Sequence, residues 1–466
     1  MDHSLKLTSS RKNIVTGVMV FLPLFSCYTA QSVAEDEVVN SGEIQFDDVL
    51  DGSTHGNARF SGRAIVDTCR TGDNGASDEL GQQQFQADCN LIVGSVGSDT
   101  DGVIGALNAL AADQVSAQNS ASVRRNKSNV SVLGQRMALL RVSSGVSAYA
   151  PEQAIAQNHL FNGALGGGAS ADNEYGRLGV FVNGRFISGD EDEDTFQDGF
   201  DFDTWDLMAG VDYRFSDNLV AGIALNYADG DIDYDNNRGS LDVDAWGILA
   251  YGSYFLDSGL FFEGSLGYTD LDYSMTRNVT YTVAGSSADQ QMQSNPDGSL
   301  LAMSVGVGQA YQHKSWSFTP SLRFDYLEND VDSYSESSTN LLSTGGAMAL
   351  AVKSANYESM TANLGVQIAR AQNISGGVLV PQIRIDWVHE FEDDGVGVKA
   401  HYLNDINRTS FKVETTALDA DYFDLSLGVS AQLANGKSGF ISYRTLLGYE
   451  GLSYDSIQLG FRIELP

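Results

Sequence analysis

The sequence predicts an all-β transmembrane fold: a twelve-stranded, antiparallel, up-and-down barrel of the outer-membrane type, preceded by an α-helical linker and a small N-terminal segment. Three observations predict it. From about residue 178 onward, apolar and polar residues alternate with period two in segment after segment, which sends them to opposite faces of strands. Most of these segments run to 11 residues or more, beyond the usual strand of about five or six and suited to a tilted bilayer crossing of about 9–11. Tight turns alternate strictly with long polar connections, as they do when one barrel end has short turns and the other long loops.

The N-terminus reads as a secretory signal over residues 1–34. Lys6, Arg11 and Lys12 precede the apolar run "NIVTGVMVFLPLF", and Ser32-Val33-Ala34 offers a cleavage site before Glu35. A lipidated Cys27 is the alternative, against which Phe25 is bulky. The formal charge of the whole chain is −34, which repels nucleic acid phosphates.

Residues 35–102 form a short polar segment with Cys69 and Cys89. An even pair in an exported chain favours a disulfide, which could staple a segment near the lower size limit for its own core; two buried free thiols are the alternative. A zinc site is poor because no histidine lies close by. Residues 103–141 carry a helical, Ala/Gln/Leu-rich pattern with a helix start favoured near Asp113. Arg124, Arg125, Lys127, Arg136 and Arg141 cluster there. They make a solvated helix face or a helix that must sit in an acidic place. A Gly/Ser/Ala-rich linker, 142–175, follows.

Residues 176–466 hold the barrel. The expected strands are 178–188, 203–215, 218–229, 240–256, 259–272, 299–312, 315–328, 357–371, 376–391, 422–433, 438–447 and 454–465. In 240–256 the pattern leaves the face of Trp246 undecided. The tight turns fall at 216–217, 257–258, 313–314, 373–376 and 434–437. Long polar loops fill 189–202, 230–239, 273–298, 329–356 and 392–421, with a shorter one at 448–453. A soluble sandwich would also alternate, but twelve such strands with an apolar interior would enclose a wide space that these side chains would have to fill. With the polar face inward, Arg384, Asp386, Glu390, Arg444 and Arg462 meet water and each other in a lumen, and closure leaves no sheet edge in lipid. Asp229, Asp231 and Asp233 imitate the start of a calcium loop, but Tyr234 stands where that loop needs Gly; hydrated acidic loops explain them without a metal. No cofactor is called for.

The stretches "GRLGVFVNGRFISGDED", "GVDYRFSDNLVAGIALNYADGDIDY", "SFTPSLRFDYLENDVDSYSE" and "VLVPQIRIDWVHEFED" and the closing strand resemble the C-terminal translocator of bacterial autotransporters (type V secretion). The "LNALAADQVSAQNSASVRR…VLGQRMALLR" region is similar to the helix that joins passenger to barrel, and the Cys69/Cys89 segment to a short cysteine-paired stretch ahead of it. The resemblance implies a Gram-negative outer-membrane protein that engages outer-membrane lipid, the general secretion route and the barrel-assembly machinery, probing its last strand through Gln458, Gly460, Ile463 and Leu465; the usual final aromatic is Leu465 here, followed by Pro466. A cationic helix could then lie in the lumen, in the periplasm or outside. Members that cleave themselves carry Asn-Asn ahead of a "KRM…LR" element. Here "QRMALLR" aligns Ser131 and Val132 with that pair, so the resemblance implies an uncleaved chain; its barrel is expected to be monomeric.

Three functions stand side by side. The chain is a translocator displaying its own short passenger; or a surface adhesion module using the passenger or the acidic loops; or a rim hydrolase using His389 or His401. Gly-x-Ser-x-Gly and His-Glu-x-x-His are absent, so the chain is expected not to be an enzyme.

Overall fold

The computed structural model describes residues 49–50, 56–116, 177–433 and 436–465. The signal at 1–34, the basic cluster from Arg124 to Arg141, the linker 142–175 and Pro466 lie outside the described residues.

Twelve long strands follow one another around a closed antiparallel barrel: β1 (Leu178–Glu191), β2 (Phe200–Ser216), β3 (Leu219–Tyr234), β4 (Gly239–Phe255), β5 (Leu260–Val283), β6 (Asp297–Gln309), β7 (Trp316–Val331), β8 (Ala355–Arg370), β9 (Gly377–Glu390), β10 (Asp421–Leu433), β11 (Lys437–Leu447) and β12 (Leu452–Leu465). The last strand pairs with the first from Leu178 opposite Leu465 to Glu191 opposite Leu452, so the sheet has no free edge. Among the described residues, the helices ahead of it include α1 (Gly56–Thr71), α2 (Leu80–Gly94) and α3 (Thr100–Ala109).

The outward face at mid-barrel is apolar. Along β2, Trp205, Leu207, Val211, Tyr213 and Phe215 are exposed, while Thr204, Asp206, Met208 and Asp212 are buried on the other face. Trp205 to Phe215 covers 11 residues, the length of a tilted crossing of about 9–11. The faces along β12 follow the same rule, with Ile457, Leu459, Phe461 and Leu465 outward and Gln458, Arg462 and Glu464 buried inside.

Toward the long-connection end the chemistry of the two faces exchanges without any slip of register. On β3 the outward series passes from Ile223 and Leu225 through Tyr227 to Asp229, Asp231 and Asp233, while the inner series passes from Asn226 to Ala228, Ile232 and Tyr234. On β4 the outward series passes from Ile248 and Trp246 to Asp244 and Asp242, and the inner one becomes Ala245, Val243 and Leu241. β5 does the same, from Tyr268 to Asp270 and Asp272 outside and to Leu271, Tyr273 and Met275 inside. Trp246 therefore faces outward, 61% exposed, with its ring 4.6 Å from that of Tyr227. The exchange marks the level at which lipid gives way to water, where aromatic rings concentrate.

The long connections are richer in strand than the sequence suggests. β5 continues to Val283 and turns at Ala284-Gly285 into a returning strand, Ser286–Ser294. Both turn residues have positive φ (49° and 82°), as a two-residue hairpin turn of matching twist requires. Residues 329–356 and 392–421 contribute a small sheet of Tyr334–Ser335, Leu350–Val352, Gly397–Tyr402 and Phe411–Glu414. The loop-sheet strands keep the alternation, burying Val398, Ala400 and Tyr402 with Lys399 exposed, but they are too short for it to stand out in the sequence.

Candidate functional site: the lumen and the helical cap

Two regions hold the side chains that sequence reasoning singled out. The first is the lumen. The predicted charges Arg384, Asp386, Glu390, Arg444 and Arg462 all lie on the inner face, with unpredicted partners beside them. Arg185 pairs with Asp206 at 2.8 Å, Arg323 with Asp325 at 2.9 Å and Arg384 with Asp386 at 2.5 Å. Arg444 pairs with Asp424, and Arg462 with both Asp212 and Glu464 at 2.6 Å. Glu390 accepts hydrogen bonds from the Ser359 hydroxyl at 2.6 Å and the Met360 amide at 2.8 Å. Removed from bulk water, these charges persist because each is ion-paired or hydrogen-bonded. Several pairs sit two residues apart on one strand, which places both groups on the same face; that spacing is the signal by which the partners could have been found.

The second region is a helical cap, which the sequence did not foreshadow as a folded unit on the barrel. Gly105 opens the expected helical stretch, but residues 105–109 belong to α3. The chain then breaks at Leu110–Ala112, where Ala112 has φ 61°, and is helical again at 113–116. Cys69 on α1 and Cys89 on α2 are joined by a disulfide, with Cα atoms 5.8 Å apart. Closing a loop of this size is worth about 3 kcal/mol in the chain-entropy model.

One apolar core runs through both cap and connections. It combines Ile65, Phe85, Cys89, Ile92, Val103 and Leu107 of the helices with Val279, Tyr281 and Val283 of the β5 extension, and with Met348, Leu350, Tyr402, Phe411 and Val413 beyond it. α3 approaches the hairpin so closely that a Cβ on Gly102 would lie 2.7 Å from the Thr282 carbonyl oxygen, so only glycine fits. Asp99 caps α3, accepting from the Gly102 amide at 3.2 Å, and its other oxygen accepts from the Ala284 amide at the hairpin tip at 2.7 Å.

The cap touches five of the six long connections. Asn57 donates its side-chain amide to the carbonyls of Phe196 (2.8 Å) and Glu414 (3.0 Å) and accepts from the Glu414 amide (2.7 Å), so it joins the first connection to the fifth. Arg238 in the second donates to the Asn108 carbonyl at 2.9 Å. The hairpin is the third. Ala347, Met348, Ala349 and Leu350 of the fourth enter the shared core, and the Gly345 and Ala347 amides donate to Asp88. In the fifth, Asp405 accepts from the Thr68 hydroxyl at 3.1 Å, and the Ile406 amide donates to Asn74 at 2.6 Å. Beneath the cap, Arg277 makes a two-pronged bond to Glu336 (2.9 and 2.6 Å), both side chains being 1% exposed or less. Glu336 also accepts from the Leu350 amide at 2.8 Å.

The two histidines of the hydrolase reading lie on different parts of the molecule. His389 is on the outward face of β9, its Nδ1 3.1 Å from Asp421; Trp387 donates to the same carboxylate at 2.9 Å. His401 is in the small loop sheet, where burial, Lys353 and Arg408 lower its pKa. Asp229, Asp231 and Asp233 alternate along the outward face of β3 and do not converge as a calcium loop would. Gln458, Gly460, Ile463 and Leu465 are all within β12.

A closed barrel with a lipid-facing apolar belt, an ion-paired lumen and elaborated connections at one end defines an outer-membrane translocator. A family model, the autotransporter beta-domain, matches residues 180–444, more than half of the chain, and the chain belongs to the autotransporter family. Its barrel therefore resides in the Gram-negative outer membrane. Among solved structures, the chain is similar to the translocator domain of NalP from Neisseria meningitidis, with 15% identity, a TM-score of 0.48, and coverage of 63% of this chain and 91% of that one. It is also similar to the beta domain of BrkA from Bordetella (17%, 0.42, covering 62% and 99%). For the transport unit of AIDA-I from Escherichia coli the values are 13%, 0.40, and 69% and 99%. No curated protein matches the chain.

Proposed function

We propose that this autotransporter exports a passenger that it keeps: residues 56–116 cross the outer membrane, fold on the external loops of their own barrel and stay attached as a surface cap. The observation that carries this reading is the apolar core shared by helices and loops, which a passenger released from the cell would leave exposed to water. Chain direction supports it as well. Gln114 lies at the loop end, bonded to Asp198 and Tyr234, whereas Leu178 opens β1 at the opposite end, across from Leu465. The chain between them links the two ends. A route through the lumen would bring Arg124, Arg125, Lys127, Arg136 and Arg141 past the acidic groups there, where opposite charge is strongly felt. On this reading the chain has no catalytic role and no cofactor, and works as a monomer with outer-membrane lipid, the secretion route and the assembly machinery as its partners.

The test is an epitope inserted between Gly97 and Ser98, in the exposed turn before α3. Antibody should bind intact cells, and the tag should remain on the same polypeptide as the barrel, starting near Glu35. A tag found only in the medium, or a barrel fragment starting between Lys127 and Leu133, would show release instead.

A further inference from the structure

We propose that the cap is fastened by acid: protonation of Asp88 and Asp113 tightens α1–α3 on the external loops, and their ionisation loosens them. The inference rests on the docked-cap reading and adds a control to it. Both carboxylates belong to the cap, both are 1% exposed, and both are pressed against loop elements. Asp88 is faced by neutral groups: Gln84 on its own helix, bonded at 2.9 Å, the Gly345 and Ala347 amides of the fourth connection, and the Tyr281 side chain of the β5 extension. Asp113 accepts from Asn57 of α1 at 3.0 Å. It also faces Asp194 and Asp198 of the first connection and Arg238 of the second. When ionised, three carboxylates share one guanidinium across this junction, and Asp198 is itself buried, bonded to Gln114 at 2.8 Å.

Burial pushes Asp88 up to about 6, against the hydrogen bonds it accepts. Burial, followed by Asp198, pushes Asp113 well above the ordinary carboxylate range. A carboxyl raised in the docked state binds protons more tightly there than in the undocked one. Docking is therefore strongest in acid and weakens as pH climbs above the undocked value of about 4. For Asp88 the loss is complete once pH passes its docked value; for Asp113 the window extends higher. Between pH 5 and 8, Asp88 alone weakens docking by about tenfold, and Asp113 adds to that.

The experiment is hydrogen exchange followed by mass spectrometry on the full chain in detergent from pH 5 to 8, with rates referred to the intrinsic rate at each pH. Protection of α1–α3 should fall at least about tenfold across this range while β8–β12 hold constant. The Asp88→Asn/Asp113→Asn variant should flatten the profile; should it fail to fold, Asp88→Asn alone should shrink the change. A flat profile for the unaltered chain, with the cap protected throughout, overturns the acid fastening and leaves the docked cap standing. A cap unprotected at every pH overturns the docked cap itself.

Discussion

The same strands build two interiors of opposite character. At membrane level the inside of the barrel is polar, and its cohesion comes from pairs such as Arg185–Asp206 and Arg462–Asp212. A few residues further along β3, β4 and β5, the inside is a water-excluding core of Ile232, Leu241, Val243, Leu271 and Tyr273, continued upward by the shared core of cap and loops. The surrounding medium decides this. Where lipid covers the outside, apolar groups are best placed outward and polar ones inward. Where water covers it, the apolar groups turn in, as in any soluble protein. A β-barrel can make this change at no cost in register because the side-chain period is two on both sides of the boundary. The upper interior is thus a folding platform, and the lower one a passage.

One charged pair sits in the wrong interior, and it gives the strongest way to test the comparison. Arg277 and Glu336 lie inside the upper, apolar platform. Arg277→Ala leaves the Glu336 carboxylate buried without its cation, which costs about 3–5 kcal/mol. The cap and the hairpin should become sensitive to protease while the barrel keeps its heat-modifiable mobility on a gel. Arg277→Met with Glu336→Leu should recover most of the loss, short of about 1 kcal/mol for the Leu350 amide, which loses its acceptor. If Arg277→Ala abolishes the folded barrel as well, the platform and the passage are not separable units.

The boundary between the two interiors is also where the sequence stopped being legible. Twelve strands and five tight turns could be placed because alternation with a single apolar face holds through the membrane-level part of the strands, before the inner face turns apolar at residues such as Val331, Leu452 and Tyr454. The segment 240–256 gave no decision on Trp246 because its apolar face changes sides halfway: Ile248 and Trp246 face lipid, whereas Val243 and Leu241 face the platform. Strand ends were set too early for the same reason. β5 runs on to Val283, although residues from 273 had looked like polar loop. The lumen charges were readable because polarity within a lipid-facing strand has only one place to go. The cap was not, because its apolar residues serve a core whose other half lies far along the chain, as Ile65 with Val413, and the polar segment 35–102 seen alone is near the lower size limit for a core of its own. The basic cluster lies outside the described residues.

A smaller effect separates the two faces of the closing strand, in the passage region. Leu465 points outward, 39% exposed, and Glu464 inward, 8% exposed. Leu465→Asp places a charge against lipid near the membrane edge and removes an apolar contact, at about 1–2 kcal/mol, and it alters the last apolar position of the strand offered for assembly. Outer-membrane yield should drop several-fold. Glu464→Gln should leave yield unchanged, because Arg462 keeps Asp212 at 2.6 Å. Equal yields from both variants would mean that the two faces of β12 have been assigned the wrong way round.

The smallest expected effect lies at the seam between the cap and the platform. Asp99 serves two elements with one carboxylate, capping α3 through the Gly102 amide and holding the hairpin tip through the Ala284 amide. Asp99→Ala removes both bonds. The helix cap alone is worth about 1 kcal/mol, and the Ala284 amide, at an exposed turn, can turn to water instead. Asp99→Asn keeps an oxygen acceptor but can serve only one of the two amides well, so it should fall between the parent and Asp99→Ala. Exchange protection should be lost first in residues 100–109 and 282–287, together and by the same factor, with β1, β2 and β12 unaffected. Loss confined to α3, with the hairpin tip as protected as before, would show that the tip is held by its own turn and that the cap rests on the platform through its apolar core alone.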